Sequence, residues 1–256
     1  MYDLATRKNA LGLLDSGLSL NQVSRRTGIS RSSIRSWRTR LHPLPEAGSP
    51  CPLTDGRPAP GFPARDYAYL LGLYLGDGCV SRTRGRVHSL RIACSDAWPG
   101  LIEECAAAVA AVMPENRVQR APGSGCTYVG SWSVHWPCLF PQHGPGRKHE
   151  RVIELAPWQQ AVVDEQPWPL IRGLIHSDGC RIINWTVRRG RRYEYPRYFF
   201  TNCSVDIRRV LTAALDRVGV EWKETLRGDT PYSAGVISIA KRGSVELMDA
   251  HVGAKY

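Results

Sequence analysis

The chain has 256 residues, 43% of them apolar, enough for the core of one large domain or of a domain with a small module. No apolar stretch is long enough to span a membrane and the first residues do not resemble a signal peptide, so we expect a cytosolic protein. The eight cysteines form no Cys-x-x-Cys pair, which predicts buried, reduced thiols rather than disulfides. The formal net charge of +11 indicates a polyanionic partner.

Residues 1–40 hold more than half of this charge, with eight Lys or Arg and two Asp, net +6. Apolar spacing and serine caps predict three helices, over 4–15, 19–26 and 31–40. A Thr-Gly-Ile turn separates the second helix from the third. The pattern is that of a helix-turn-helix DNA-binding module.

The third predicted helix, RSSIRSWRTR, would bury Ile34 and Trp37. In such motifs this helix reads base edges while flanking cations bind phosphates, so its outward side chains are candidate DNA contacts. They are Arg31, Ser32, Arg35 and Arg38. The segment resembles the helix-turn-helix of resolvases and transposases. A basic three-helix cap on the main domain is the alternative.

Residues 41–65 contain seven prolines and three glycines without periodicity. This composition predicts a semi-extended, Pro-rich linker. An ordered arm packed across the main domain is the alternative, with Leu44, Leu53 and Phe62 as its anchors.

A ten-residue stretch at Leu70, LLGLYLGDGC, returns 101 residues later at Ile171 as IRGLIHSDGC. Five of the last eight positions are identical. Each copy predicts a helix that ends at Asp-Gly. Small residues four apart predict that the two helices pack backbone to backbone, and these residues are Gly72, Gly76, Gly173 and Ser177.

Asp77 and Asp178 lie in the last turn of the two predicted helices, where the helix dipole is already negative. Two such ends brought together concentrate negative potential, which a bound divalent cation would relieve. The pair therefore indicates a metal site. For one copy alone, an apolar helix that ends in Asp-Gly is the alternative.

The two copies resemble the motif of single-chain LAGLIDADG homing endonucleases, with Asp77 and Asp178 as the closing aspartates. They depart from the motif at its sixth position, at Leu75 and His176, which varies in the family and is not catalytic. The resemblance implies pseudo-symmetric halves joined at the motif helices, hydrolysis of double-stranded DNA, and Mg²⁺ or Mn²⁺ bound by the two aspartates. It also implies a catalytic lysine at the end of the last strand of a half, which is Lys241 here. The first half lacks its counterpart.

We therefore predict an α+β fold with an αββαββα order in each half, the first over 66–150 and the second over 151–256 with the connecting segment. The predicted strands are 80–84, 87–95, 117–120 and 126–136, then 180–188, 193–203, 221–226 and 234–240. The predicted helices between them are 97–113 and 206–218, and a helix over 152–160 bridges the halves.

Arginines concentrate in and around the predicted hairpins. Two twisted sheets with such a face would form a saddle for duplex DNA, with phosphates bound by arginine and bases read from the strands. Solvated hairpin tips are the alternative for any single arginine. The candidates are Arg82, Arg84, Arg86, Arg181, Arg188, Arg189, Arg191 and Arg192.

His135, Cys138, His143 and His149 lie within fifteen residues of sequence. Their spacing fits no common zinc pattern, and Cys138 lies in an apolar run. The sequence therefore favours structural or phosphate-facing histidines over a zinc site.

These patterns together predict a Mg-dependent, site-specific DNA endonuclease of the homing type, monomeric, with internal pseudo-two-fold symmetry. We expect it to be free-standing, because it carries a DNA-binding module of its own, and to associate with the nucleoid in a bacterial-type cytoplasm. A transcriptional regulator with the same two parts that binds DNA without cutting is the main alternative, and RNA binding is a third. The presence of both aspartates favours the nuclease.

Overall fold

The computed structural model describes residues 2–39, 51–83, 85–228 and 233–256. The predicted DNA contact Arg84, the predicted anchor Leu44 and the first ten residues of the Pro-rich segment, 41–50, lie outside these ranges. The chain divides into two units, Met1–Pro50 and Cys51–Tyr256. Within the described ranges, no helix combines the length and the apolar content needed to cross a membrane.

The N-terminal unit consists of three helices, α1 (Leu4–Asp15), α2 (Leu20–Thr27) and α3 (Arg31–Thr39). Ser19 and Gln22 form a capping box that starts α2, and Gly28 ends it in the left-handed conformation, with φ of +69°. The helices enclose a small core of their own, made of Ala10, Val23, Ile29, Ile34 and Trp37.

Residues 51–63 lead into the second unit as an ordered arm. Strands β1 (Leu53–Thr54) and β2 (Arg57–Pro58) pair in a short hairpin. Leu53 and Phe62 pack against the main core. In this described part of the Pro-rich segment, apolar anchors therefore hold the chain against the main unit.

The first half of the second unit has the αββαββα order that the sequence predicts. Its elements are α4 (Ala64–Asp77), β3 (Gly78–Arg82), β4 (His88–Ser95), α5 (Pro99–Val112), β5 (Gln119–Pro122), β6 (Cys126–Ser133) and α6 (Trp136–Leu139). The strands form an antiparallel sheet in the order β3-β4-β6-β5.

The second half repeats this order after a connecting helix, α7 (Pro157–Glu165). Its elements are α8 (Pro167–Asp178), β7 (Gly179–Arg188), β8 (Arg191–Asn202), α9 (Val205–Arg217), β9 (Lys223–Arg227), β10 (Ala234–Ile239) and α10 (Arg242–His251). The sheet order β7-β8-β10-β9 matches that of the first half. The α+β prediction with two equivalent halves is confirmed.

Two predicted elements differ from the observed ones by more than two residues at an end. The bridging helix begins at Pro157 rather than at residue 152, because the preceding segment is anchored by the amide of Ile153, which donates to Asp206 Oδ2 at 3.0 Å. Proline suits this first helical position, because it has no backbone N–H and the N–H of that position would find no acceptor within the helix. The predicted strand over 126–136 stops at Ser133, since Trp136 starts α6.

The predicted burial of the cysteines is also wrong for most of them. Only Cys94 and Cys105 are buried, while Cys79, Cys138 and Cys180 are exposed and the other three are intermediate. Alternation along strands and a single helical turn place thiols outward even where the surrounding sequence is apolar. All eight are free thiols.

The two motif helices, α4 and α8, touch along their small residues. A methyl group on Gly72 would lie 2.6 Å from the carbonyl oxygen of Leu170, and one on Gly173 would lie 2.2 Å from that of Tyr69. At Gly76 the nearest atom would be Ser177 Oγ, at 2.1 Å. Side chains larger than hydrogen would therefore force the helix backbones apart at Gly72 and Gly173.

We expect Gly72→Leu to lower the free energy of unfolding by at least about 3 kcal/mol, because the obstacle is backbone that cannot rotate away. Gly243→Leu is a matched control, since a side chain at Gly243 in α10 meets nothing within 4 Å. Chemical denaturation of both variants measures the difference. Equal midpoints would contradict the packing of α4 on α8.

Candidate metal centre and nucleic-acid interface

Each motif helix ends at its aspartate and passes directly into a strand. Gly78 and Gly179 are extended rather than left-handed, so they do not end the helices by a left-handed turn. Their lack of a side chain lets the strand fold back over the helix, since a methyl group on Gly78 would lie 2.5 Å from Tyr74 Cα. This reversal leaves Asp77 and Asp178 at the junctions of helix and strand.

The packing of α4 on α8 brings these two junctions together. A methyl group on Gly76, the residue before Asp77, would lie 3.2 Å from Asp178 Oδ2. Asn202, at the end of β8, donates its side-chain N–H to the same Asp178 oxygen at 2.7 Å. The second carboxylate is therefore held in place by a neighbouring strand.

Both carboxylates are shifted toward their neutral forms. Crowding by protein atoms, followed by the negative charge of Asp178, raises the pKa of Asp77 to about 6. The side chain of Asp77 is exposed to solvent, so it lies in the wall of a crevice rather than in the core. Burial likewise raises the pKa of Asp178, against the hydrogen bond from Asn202. A cation between the two would remove part of this cost.

Two lysines that the sequence analysis did not identify lie at the ends of the motif helices. Lys148 Nζ donates to the carbonyl oxygens of Tyr74, Gly76 and Gly78, the last two at 2.7 and 2.9 Å. Lys255 Nζ donates to the carbonyl of Ser177 at 2.8 Å. Each ammonium thus opposes the negative end of a helix dipole beside an aspartate.

Both lysines interact electrostatically with the carboxylates. Burial lowers the pKa of Lys148 to about 8, while Asp178 and Asp77 act in the opposite direction. Burial also lowers the pKa of Lys255, again opposed by both aspartates. Lys148 therefore remains mostly protonated at neutral pH, within a cluster of two acids and two bases.

The catalytic role of Lys241 stays a prediction, and the structure gives its side chain a partner other than the two aspartates. Lys241 is exposed and pairs with Glu221, and its backbone caps the start of α10. An internal repeat in the sequence could have identified the two lysines of the centre, because the four-residue spacing of Leu139 and His143 recurs at Leu247 and His251. One lysine follows the first histidine by five residues, and the other follows the second histidine by four. These lysines are Lys148 and Lys255.

The donor set fits a divalent cation. Mg²⁺ and Mn²⁺ prefer oxygen ligands, and Asp77 and Asp178 offer carboxylate oxygens in a crevice with solvent access. Lys148 donates to three backbone carbonyls and Lys255 to one, and none of these hydrogen bonds occupies a carboxylate oxygen of the pair. Asn202 occupies one oxygen of one aspartate only.

The predicted DNA contacts of the second half lie on a long hairpin. Strands β7 and β8 pair as far as Arg188 and Arg191, while β10 pairs with β8 only from Tyr198 to Asn202. Residues 182–197 thus form a two-stranded ribbon beyond the four-stranded sheet. The exposed arginines of this ribbon are Arg188, Arg189, Arg191 and Arg192.

Aromatic side chains lie beside these arginines on both strands of the ribbon. Trp185 and Tyr193 are 56% and 46% exposed. The guanidinium of Arg192 lies 5.1 Å from the Trp185 ring centre, and that of Arg191 lies 5.6 Å from Tyr193. A two-stranded β-ribbon is one of the elements that the major groove of a duplex can admit.

The structure gives Arg181 another partner. Its guanidinium donates to both carboxylate oxygens of Asp249 at 2.6 and 2.8 Å, and this pairing raises the pKa of Arg181 further. Tyr198 also donates to Asp249. Arg181 therefore joins β7 to α10 through an intramolecular ion pair, and its role as a DNA contact stays a prediction.

The remaining candidates are exposed. Arg82 and Arg86 flank the tip of the hairpin between β3 and β4. On α3, the outward side chains are Arg31, Ser32, Arg35 and Arg38. Arg31 donates to Asn21 Oδ1 at 3.0 Å, which joins α3 to α2.

Two equivalent halves that meet at glycine contacts between motif helices form the arrangement that the LAGLIDADG resemblance implies. The fold is of the LAGLIDADG type. No family model and no curated protein matches the chain.

Similar solved structures include mesophilic variants of the homing endonuclease I-DmoI, at 16% identity and a TM-score of 0.49, covering 75% of this chain and 97% of that one. The N-terminal LAGLIDADG domain of DUF199/WhiA has 12% identity and a TM-score of 0.44, with 75% and 83% covered. The meganuclease I-SmaMI bound to uncleavable DNA has 9% identity and a TM-score of 0.43, with 71% and 79% covered.

Proposed function

We propose that this protein is a metal-dependent endonuclease that cuts double-stranded DNA at a specific site. The observation that carries the proposal is the meeting of Asp77 and Asp178 at the ends of two touching helices, beside two lysines. Burial raises the pKa values of both carboxylates, and raised carboxylate pKa values in a crevice are typical of functional sites.

In this proposal Asp77 and Asp178 hold Mg²⁺ or Mn²⁺, which when bound supplies a stronger nucleophile from water and charge stabilisation for the leaving oxygen. The chain's own groups set up the centre. Asn202 orients the Asp178 carboxylate, and Lys148 and Lys255 each cap the carbonyl end of one motif helix and hold positive charge beside the aspartates.

The basic surfaces supply DNA binding in this proposal. Exposed arginines on the hairpins of both halves bind phosphates, and the ribbon over 182–197 enters the major groove. The N-terminal helices act as a helix-turn-helix that reads further bases through α3. The protein works as a monomer, because one chain carries both halves.

The deciding experiment incubates the purified protein with a plasmid library of random sites, with and without Mg²⁺, and sequences the ends produced. Double-strand ends at one recurring sequence, formed only with the cation, are expected. Tight binding to one sequence without cutting in Mg²⁺ or Mn²⁺ would overturn the nuclease and favour a DNA-binding regulator.

We expect Lys148→Met to slow cleavage by at least about tenfold, because it removes the ammonium donor that three carbonyl groups beside Asp77 share and takes a cation away from the centre. Lys241→Met is the matched control, since Lys241 forms only an exposed pair with Glu221. Single-turnover rates on the identified site measure both. A slower Lys241→Met and an unchanged Lys148→Met would return the catalytic role to Lys241.

A further inference from the structure

A second group of metal-ligand side chains lies apart from the two aspartates. Cys51, His135 and Cys138 place their thiol sulfurs and an imidazole nitrogen within 4.8 Å of one another. Spacing within 135–149 fits no zinc pattern because one member of the group, Cys51, comes from more than eighty residues upstream. The fold brings Cys51 next to His135 and Cys138.

We propose that Cys51, His135 and Cys138 bind one Zn²⁺ ion, with the fourth position taken by water or by another ligand. Two thiolates and an imidazole are a preferred zinc donor set. In a tetrahedral site with Zn–S bonds of about 2.3 Å, neighbouring ligand atoms lie about 3.8 Å apart. The three atoms therefore need to approach by no more than about 1 Å.

The two downstream ligands are held on one turn of backbone. The carbonyl of His135 accepts hydrogen bonds from the amides of Cys138 and Leu139 at 3.0 and 3.1 Å. This turn starts α6, whose Trp136 and Leu139 are fully buried. Residues three apart on such a turn share a face, so the imidazole and the thiol point to the same side.

The upstream ligand is held as well. The carbonyl of Pro52, next to Cys51, accepts from the amide of Ala59 at 3.0 Å, and Leu53 packs against the main core. The thiol sulfurs of Cys51 and Cys138 lie within 4.8 Å of each other. A rigid first ligand and a rigid turn lower the conformational entropy that binding must overcome.

The neighbouring histidines do not belong to this group. His143 Nδ1 lies 3.0 Å from the carbonyl of Phe140, and its ring stacks edge-on with His88. His149 lies beside Glu150. The zinc site would thus fix the arm at the entry to the second unit onto α6, and with it the point from which residues 1–50 are tethered.

The test uses the full-length protein, stripped with a chelator under a thiol reductant and then titrated with Co²⁺ in excess Mg²⁺, so that the aspartates are occupied. One equivalent of Co²⁺ with a thiolate-to-cobalt charge-transfer band is expected, and Zn²⁺ should displace it. The band should be lost, with binding weakened at least about tenfold, in Cys51→Ser, Cys138→Ser and His135→Asn. Cys126→Ser is the control, because it makes the same change outside the group.

A second measurement needs no variant. Zn²⁺ should slow alkylation of Cys51 and Cys138, located by peptide mass spectrometry, while alkylation of Cys126 stays unchanged. A wild-type protein without the charge-transfer band, or a band that persists in Cys51→Ser, would overturn the proposal.

Discussion

Asp77→Asn and Asp178→Asn are each expected to lower the rate of DNA cleavage by at least about a hundredfold, since a catalytic cation contributes several kcal/mol to the transition state. DNA affinity should stay within about tenfold, because phosphate contacts are made by arginines on the hairpins rather than by these carboxylates. The amide keeps the shape of the carboxylate, so a change in packing between α4 and α8 is not expected.

Asp55→Asn is the matched control for this pair. Asp55 lies in the turn between β1 and β2 with φ of +51°, and asparagine tolerates the same left-handed backbone. Single-turnover cleavage and gel-shift affinity on one duplex measure all three variants. Wild-type cleavage by either Asp77→Asn or Asp178→Asn would remove the carboxylate from the proposed centre, whichever metal is supplied.

The two aspartates are not equivalent, and the difference has a local cause. Gly78 pairs with Ile92 in the first half and Gly179 pairs with Phe200 in the second, so Asn202 corresponds to Cys94. The amide of Asn202 stabilises the charged form of Asp178 by a hydrogen bond at 2.7 Å. The thiol of Cys94 is a much weaker donor. The pseudo-symmetry therefore extends to the backbone and not to the environment of each carboxylate.

Much of the fold could be predicted because its signals are local or repeated. The motif helices, the glycine face and the αββαββα order follow from periodicity, turn residues and one internal repeat. The contacts at Gly72 and Gly173 needed no knowledge of distant residues, because a glycine inside a helix already indicates close packing.

The parts that could not be predicted depend on contacts between residues far apart in sequence. Lys148 hydrogen-bonds to Tyr74, which lies seventy-four residues away in the sequence, and Arg181 hydrogen-bonds to Asp249, which lies sixty-eight residues away. Spacing rules describe neighbours on one element and carry no information about such pairs. For the same reason a count of arginines could not separate those paired inside the protein from those open to DNA.

Deleting residues 1–40 is expected to weaken binding to the cleavage site by about ten- to a thousandfold, because a tethered second module contributes through effective concentration. The salt dependence of binding should become shallower, since a net charge of +6 is lost and fewer phosphates are neutralised. The cleavage position should not move, because Asp77 and Asp178 lie in the other unit. The second unit has its own core and should stay folded.

Two point variants test the role of α3 separately from the rest of the deleted segment. Arg35→Ala removes an exposed charge from α3, and Lys8→Ala removes one from α1. If α3 reads bases, Arg35→Ala should cost about 1 to 3 kcal/mol and relax the sequence preference at one position, whereas Lys8→Ala should lower affinity little and evenly across sequences. Footprints and affinities over a salt series measure both effects. An unchanged footprint and salt slope after the deletion would mean that the three helices are a basic cap and not a DNA-reading module.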